Sequence, residues 1–397
     1  MRIMFLAGSY WPSQDGVSQV TQYLAEGLAK KHEVHVIAPR KNHSSEDKHE
    51  EVLIERVKTK RSQYLCYIRG EKEKARKSII AFQPDVLIIV GVQDWAYDWF
   101  KGELKHLPGK KMLMTHGASC LRQYSVWNKI KKLRLRKQII ADLIGVNIER
   151  YWKNYRKTLP MDVKKFDLVS YLYEGEDLYT HMQQYHLENG MVLENATDDI
   201  FFERKAYLID ENKEIVFINV STYEMRKNQK MILKAYGELN LPNTKLILIG
   251  SKENEYYKEL LEMKGQIERE NNFRGQINIY AGLTRDRVLE LYKDADVYIS
   301  ASSWEAMSVS LCEAAAAGLL ILSTEVGHIS SIPGVCLFRN EEELKCLIEE
   351  AYTNSDMRRE NGMLANRYAE EHYRIQKKVD LLEESLLKLC QVDGKGI

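Results

Sequence analysis

The chain has 397 residues, 44% of them apolar, and 58 basic side chains almost balance 57 acidic ones. One domain of that size would be unusually large, so two domains of ordinary size, each with its own core, are expected. The sequence holds no apolar run of 18 residues, and Met1 leads directly into RIMFLAG without an apolar leader and cleavage site. Membrane spanning and export are therefore not expected, and a cytoplasmic protein is. The six cysteines, Cys66, Cys120, Cys312, Cys336, Cys346 and Cys390, lie far apart with no metal-ligand spacing, which predicts reduced thiols rather than disulfides or a zinc site.

Taken in chain order, RIMFLAG, EVHVIAP, DVLIIVG and KMLMTHG are short strand-like runs that alternate with helical patterns. That alternation argues for right-handed βαβ crossovers and a parallel sheet, a Rossmann-like first half. After the first run, a loop at Gly16 opens a helix patterned Val17, Val20, Leu24 and Leu28. A glycine there serves either a tight βα turn or close backbone approach to a ligand. No G-x-G-x-x-G follows, which disfavours a nicotinamide dinucleotide. His116 ends the run KMLMTH, at a carboxyl strand end where side chains of an open α/β sheet project toward ligand. It can donate a hydrogen bond to a ligand or satisfy a local backbone group.

Charge is unevenly spread. The first 200 residues carry 32 basic and 25 acidic side chains, the remainder 26 and 32. The excess concentrates in residues 121–140, LRQYSVWNKIKKLRLRKQII, where seven basic side chains and no acid are interleaved with Trp127, Ile130, Leu133 and Ile140. Such a segment makes peripheral contact with an anionic membrane, holds a polyanionic acceptor, or is a solvated helix face with its apolar stripe inward. Nucleic acid is not expected, because no base-stacking array or binding motif accompanies the patch.

LENATDD, Leu193 to Asp199, is rich in turn formers and marks the boundary. It places the boundary between residues 195 and 196. The alternation then resumes with EIVFINVS, KLILIGS, INIYAG, VYISAS and LLILS. Arg226 and Lys227 precede a helix with Ile232, Leu233, Ala235 and Leu239 on its apolar face, and Gly282-Leu283 forms the turn after INIYA. Asp294-Ala295-Asp296 spells D-x-D, but Asp296 begins a strand, at the edge of a parallel sheet opposite the ligand side, so capping explains it better than a metal. Finally SSWEAMSVSLCEAAAAGLLILSTEVG, Ser302 to Gly327, reads as loop, helix and strand, with Glu305 in the loop and Glu313 one to two turns into the helix. The free N–H groups of Ser308, Val309 and Ser310 at that helix start attract anions. Ionised carboxylates beside them suit neutral hydroxyls, which donate to them, or serve as solvated helix-end charges.

Glu305, seven residues, Glu313, then an alanine-rich turn, Gly318, an apolar strand and Val326-Gly327, resembles the retaining family-four glycosyltransferases of the GT-B fold, group 1 glycosyltransferases. The likeness extends upstream from Ile279 to Ser300. It implies an α/β fold of two Rossmann-like doubly wound domains facing across a cleft, with the last amphipathic helix, Arg374 to Cys390, returning to the first, so that the domains are 1–195 with 374–397, and 196–373. It implies further that Glu313 holds ribose, Glu305 the hexose, and Lys227 and the Met307-Ser308-Val309 helix start the diphosphate. Gly282 and Leu283 would contact the base, and Gly16 and His116 would serve the sugar and acceptor. The family's arginine five positions before the lysine is Thr222 here, so either Arg226 substitutes or the phosphate contacts are weaker. The Gly-x-Pro and Gly-Gly-x-x-Glu features also differ, at Gly318-Leu319-Leu320 and Gly327-His328-Ile329-Ser330. The expected activity is metal-independent hexosyl transfer, with retention, from a nucleoside diphosphate sugar of UDP or GDP type to a glycan or lipid-linked acceptor of the cell envelope. No separate cofactor is expected. The alternatives are a non-catalytic GT-B subunit that binds nucleotide sugar or a partner glycosyltransferase, and a nucleotide-sugar epimerase.

Overall fold

The computed structural model describes residues 1–13, 15–40, 48–61, 68–118, 121, 155, 157–203, 214–270 and 272–391. The basic segment 121–140, apart from Leu121, and Cys66 and Cys120 lie outside these residues. The chain forms two compact units, Met1–Glu194 with Lys378–Ile397, and Asn195–Lys377.

The first unit is built on β1 (Arg2–Leu6), β2 (Glu33–Pro39), β3 (Lys48–His49), β4 (Val52–Val57), β7 (Val86–Val90), β8 (Lys110–Met114), β9 (Leu168–Tyr171) and β10 (Gly190–Val192), with a separate ribbon of β5 (Thr59–Arg61) and β6 (Ile68–Gly70). The main sheet runs β10-β9-β8-β7-β1-β2-β4-β3, and every pairing is parallel except β3 with β4. Its central strand VLIIV is buried at every position, the unbroken apolar run that a sheet covered on both faces requires. The helix Gly16–Ala29 buries Val20, Leu24, Ala25 and Leu28. Val17, grouped with them by sequence pattern, is instead 38% exposed in the first turn.

The last helix, Ile375–Gln391, packs on that helix within the same unit: a Cβ at Gly27 would stand 2.3 Å from Val379 Cγ2. Glu383 accepts from Lys31 Nζ at 2.7 Å and pairs with His32 Nε2 at 2.9 Å. Lys378 Nζ donates to Glu194 Oε2 at 2.8 Å, a largely buried ion pair beside the two places where the chain leaves and re-enters the unit.

The second unit carries β11 (Ile215–Val220), β12 (Thr244–Gly250), β13 (Gln276–Ala281), β14 (Val297–Ser300), β15 (Leu320–Thr324) and β16 (Val335–Phe338), all parallel in the order β13-β12-β11-β14-β15-β16. In both sheets the winding reverses beside the first strand, between β1 and β7 and between β11 and β14. Loops leaving the carboxyl ends of strands diverge at such a switch point, which opens room for a ligand. Among the described residues no helix is long and apolar enough to cross a membrane.

Candidate active site

The loops after β11 and β14 meet at the second unit's switch point. After β11 the chain makes a single 3-10 turn, Met225–Lys227, and passes through Asn228 at φ 51° into the helix Gln229–Leu239. Asparagine tolerates that left-handed conformation better than most residues, and the turn delivers Arg226 and Lys227 side by side. After β14, the segment Ser302–Ser308 carries Glu305. Ser303 N–H donates to Arg226 O at 2.8 Å and Thr324 Oγ1 to Ser302 O at 2.6 Å, tying this loop to both neighbouring loops. Gly327, at φ 62°, presses on it from the third side: a Cβ there would stand 2.3 Å from Ala306 O and 3.0 Å from Glu305 O.

The result is a cluster around Glu305. Lys227 Nζ donates to Glu305 Oε1, and Arg226 Nη1 lies 3.2 Å from Oε2. Arg226 also donates to Trp304 O at 2.6 Å and, through Nη2, to Glu224 Oε1 at 2.7 Å. Burial works against the Arg226 charge, but Glu305 and Glu224 outweigh it and raise its pKa, so the guanidinium stays charged. Thr222, where the resemblance expects arginine, donates to Glu224 at 2.8 Å. Arg226 thus brings a guanidinium to Glu305 from four residues later in the chain.

Glu313 lies on the helix Val309–Ala316, 2% exposed, and accepts from Arg285 Nη2 at 2.6 Å. Arg285, one residue past the Gly282-Leu283 turn and its N-cap Thr284, begins the helix Arg285–Asp294 and sets its guanidinium 4.8 Å from the Phe201 ring centre. Gly282 has φ 68°, and a Cβ there would meet only Ser251 O at an unstrained 3.8 Å, so conformation rather than contact calls for glycine. Sequence reasoning missed Arg285, because nothing in a 28-residue separation signals that one helix start will meet another.

Ser308 caps the Val309 helix without a side-chain hydrogen bond. Its hydroxyl lies 3.0 Å from Ser310 Oγ, which is 2.9 Å from the buried Tyr298 hydroxyl. The Ser308 hydroxyl thus pairs with Ser310 and does not cap the helix start. Met307, buried, accepts on its carbonyl from Asn195 Nδ2 at 2.9 Å. Asp296 Oδ2 accepts from Val216 N–H at 2.9 Å, at the amino edge of the sheet and far along the strands from Glu305.

Gly16 and His116 belong to the first unit. Gly16 is half-buried and begins its helix, whose N-terminus is already capped by Asp15. The Asp15 carboxylate accepts from Ser18 N–H at 3.0 Å and from the hydroxyls of Ser9 and Ser13. His116 sits two residues past β8 at φ 48°, followed by Gly117 at φ 89°. It lines a small apolar recess with Val20, Leu24, Met114, Tyr171, Leu172 and Leu193.

Two Rossmann-like units with these loops define a GT-B protein, and solved structures agree. The chain matches sucrose-phosphate synthase from Thermosynechococcus elongatus with a TM-score of 0.72 at 12% identity, covering 98% of this chain and 99% of that one. It matches HepE of Anabaena, in complex with UDP and glucose, at 0.66 and 14%, covering 97% and 98%. WaaG, a glycosyltransferase involved in lipopolysaccharide biosynthesis, matches at 0.64 and 16%, covering 99% and 100%. An uncharacterized glycosyltransferase of Methanocaldococcus jannaschii is 23% identical over 344 residues, 84% of this chain and 82% of that protein. The model of glycosyl transferases group 1 matches residues 199–362 and that of glycosyltransferase family 4 matches 14–144. The chain belongs to the group 1 glycosyltransferases, of the family-four type.

Proposed function

We propose that the chain transfers a hexosyl group, with retained anomeric configuration, from a nucleoside diphosphate sugar to a glycan or lipid-linked acceptor in cell-envelope synthesis. The observation that carries this reading is the Glu305 carboxylate bracketed by Lys227 and Arg226 at the switch point of the second unit. A departing diphosphate needs positive charge where its own negative charge develops, and preorganised cations supply it without a metal. Lys227 has three protons and gives one to Glu305, so a phosphate oxygen is met by the others. The uncapped amides at Ser308 and Val309 add a second anion-binding feature.

Glu305 then accepts from hexose hydroxyls and Glu313 from ribose hydroxyls, each carboxylate compensated by its own cation so that neither repels the diphosphate across a low-dielectric site. Arg285 plays that compensating part for Glu313, and Gly282 and Leu283 are assigned to the base. Met307, held by Asn195, sets the entry to the helix start. His116 is assigned to the transferred sugar and Gly16 to the acceptor. A UDP-type donor is the first choice, since HepE was solved with UDP-glucose. Peripheral contact with anionic lipid through residues 121–140 and a cytoplasmic location accompany this reading.

The test is transfer from UDP-glucose, GDP-glucose and ADP-glucose to a panel of glycan and lipid-linked acceptors in the presence of EDTA, with the anomeric proton of the product followed by NMR. Product of the donor's own anomeric configuration, formed in EDTA, supports the proposal. Inverted product, or formation only with added divalent metal, contradicts it. An epimerised donor without acceptor points to the epimerase alternative, and nucleotide-sugar binding without any product to a non-catalytic subunit.

A further inference from the structure

Glu176 is a buried acid that the reading above does not use. It is 3% exposed and lies between the loops that follow β8 and β9. Its Oε2 accepts from Leu172 N–H at 2.6 Å and its Oε1 from Ala118 N–H at 3.2 Å, with Thr115 Oγ1 at 3.5 Å. Thr115 has one hydroxyl proton and gives it to Ser170 O at 2.9 Å. Glu176 therefore works as an acceptor at both oxygens. Between its contacts at Thr115 and Ala118 lie His116 and Gly117, both at positive φ. A non-glycine residue in that conformation costs about 1 kcal/mol or more and persists only where its surroundings impose it.

We propose that Glu176 is the positioning residue for His116: its carboxylate clamps the Thr115–Ala118 turn to the β9 loop and so fixes the imidazole at the apolar recess. This rests on the assignment of His116 to the transferred sugar. A carboxylate accepts at both oxygens, whereas a carboxamide accepts at one and donates at the other. Glu176→Gln therefore sets an N–H against the N–H of Leu172 or Ala118 and releases one side of the clamp. Protonation likewise turns one of the two oxygens from an acceptor into a donor. Burial pushes Glu176 up to about 7, the amides of Leu172 and Ala118 opposing and Asp177 adding to the rise. The titratable groups around it are Asp177 at the start of the next helix, Tyr171 at the end of β9, Glu174 in its own loop and His116 in the turn it holds.

The experiment measures donor hydrolysis between pH 5.5 and 8.5 on whichever of UDP-, GDP- or ADP-glucose is turned over, for the wild type, Glu176→Gln, Glu176→Asp and His116→Ala. The expected result is a loss of about tenfold or more in kcat for Glu176→Gln with donor KM little changed. Wild-type activity should decline as pH falls through about 7, and the Gln variant should lack that decline. Wild-type kcat and pH profile in Glu176→Gln, alongside an impaired His116→Ala, overturn this inference alone. An unimpaired His116→Ala overturns the assignment of His116 itself. The amide proton chemical shifts of Leu172 and Ala118 in the wild type decide the matter where a variant does not fold. Downfield shifts that move upfield as pH falls through about 7 support the clamp, and shifts that are flat in pH overturn it.

Discussion

The Arg285–Glu313 pair makes a sharp energetic prediction. Glu313 is 2% exposed and its Oε1 is 2.6 Å from Arg285 Nη2, while the Arg285 side chain retains 22% exposure. Arg285→Met keeps the aliphatic stem and an apolar contact for Phe201 but strands a carboxylate with almost no access to water. Breaking one side of a buried ion pair costs about 3–5 kcal/mol, whereas replacing both sides with apolar groups of similar volume is often near neutral. For a unit spanning Asn195–Lys377, each kcal/mol shifts the midpoint by roughly 2–4 °C, so Arg285→Met should lower the calorimetric transition of this unit by on the order of 10 °C. The double variant Arg285→Met/Glu313→Leu should recover most of that loss. A single variant within about 2 °C of wild type, or a double variant whose loss equals the sum of the singles, would refute the coupling.

Three further outcomes follow from the same structure. Gly327→Ala must place a Cβ 2.3 Å from Ala306 O at φ 62°. It should destabilise the second unit by about 1–3 kcal/mol and shift Glu305, with at least ~10-fold weaker donor binding by calorimetry; unchanged affinity would show that the Gly327 contact does not set Glu305. Lys227→Ala should weaken UDP binding by about 1.5–3 kcal/mol, one to two orders of magnitude in Kd, and undiminished affinity would remove the lysine from the phosphate site. Glu176 has its folded pKa raised to about 7 from the ordinary 4.5, so the folded chain holds the proton more tightly. The resulting stability is complete at acid pH and is lost as pH rises through 7, roughly 3 kcal/mol in total. The Tm of Glu176→Gln relative to wild type should thus be higher at pH 8 than at pH 5, and the opposite ordering would contradict the raised pKa.

Much of this was readable in the sequence because the central strands are unbroken apolar runs. VLIIV in β7 and the run Leu319-Leu320-Ile321-Leu322 that enters β15 stand out as buried parallel strands, and the glutamate pair falls on either side of a helix start that alanine and glycine define unmistakably. Strands toward the margins of the first sheet did not stand out. VLIERV in β4 carries Glu55 and the buried Arg56, and GMV in β10 is three residues long, so neither shows an apolar run or a clean alternation. Val17 was misassigned because a helical period says which residues share a face but not how far toward the first turn the core reaches. Arg226 and Lys227 were legible as adjacent cations. That Arg226 bends back to Glu305 and Trp304, while Thr222 turns to Glu224, is set by the 3-10 turn and by Asn228 at positive φ. Arg285 and Glu176 were invisible for a common reason: each acts on a partner brought near only by the winding of the sheet, and long-range pairing leaves no local pattern.

The most direct test of the account is metal-free binding and slow hydrolysis of UDP, GDP and ADP sugars, measured for the wild type beside Glu313→Ala and Lys227→Ala. The account predicts one well-bound donor, turned over in EDTA, whose binding is weakened about tenfold or more in both variants. Failure of every donor to bind, or affinity untouched by both substitutions, would contradict the placement of the donor on Glu313 and Lys227.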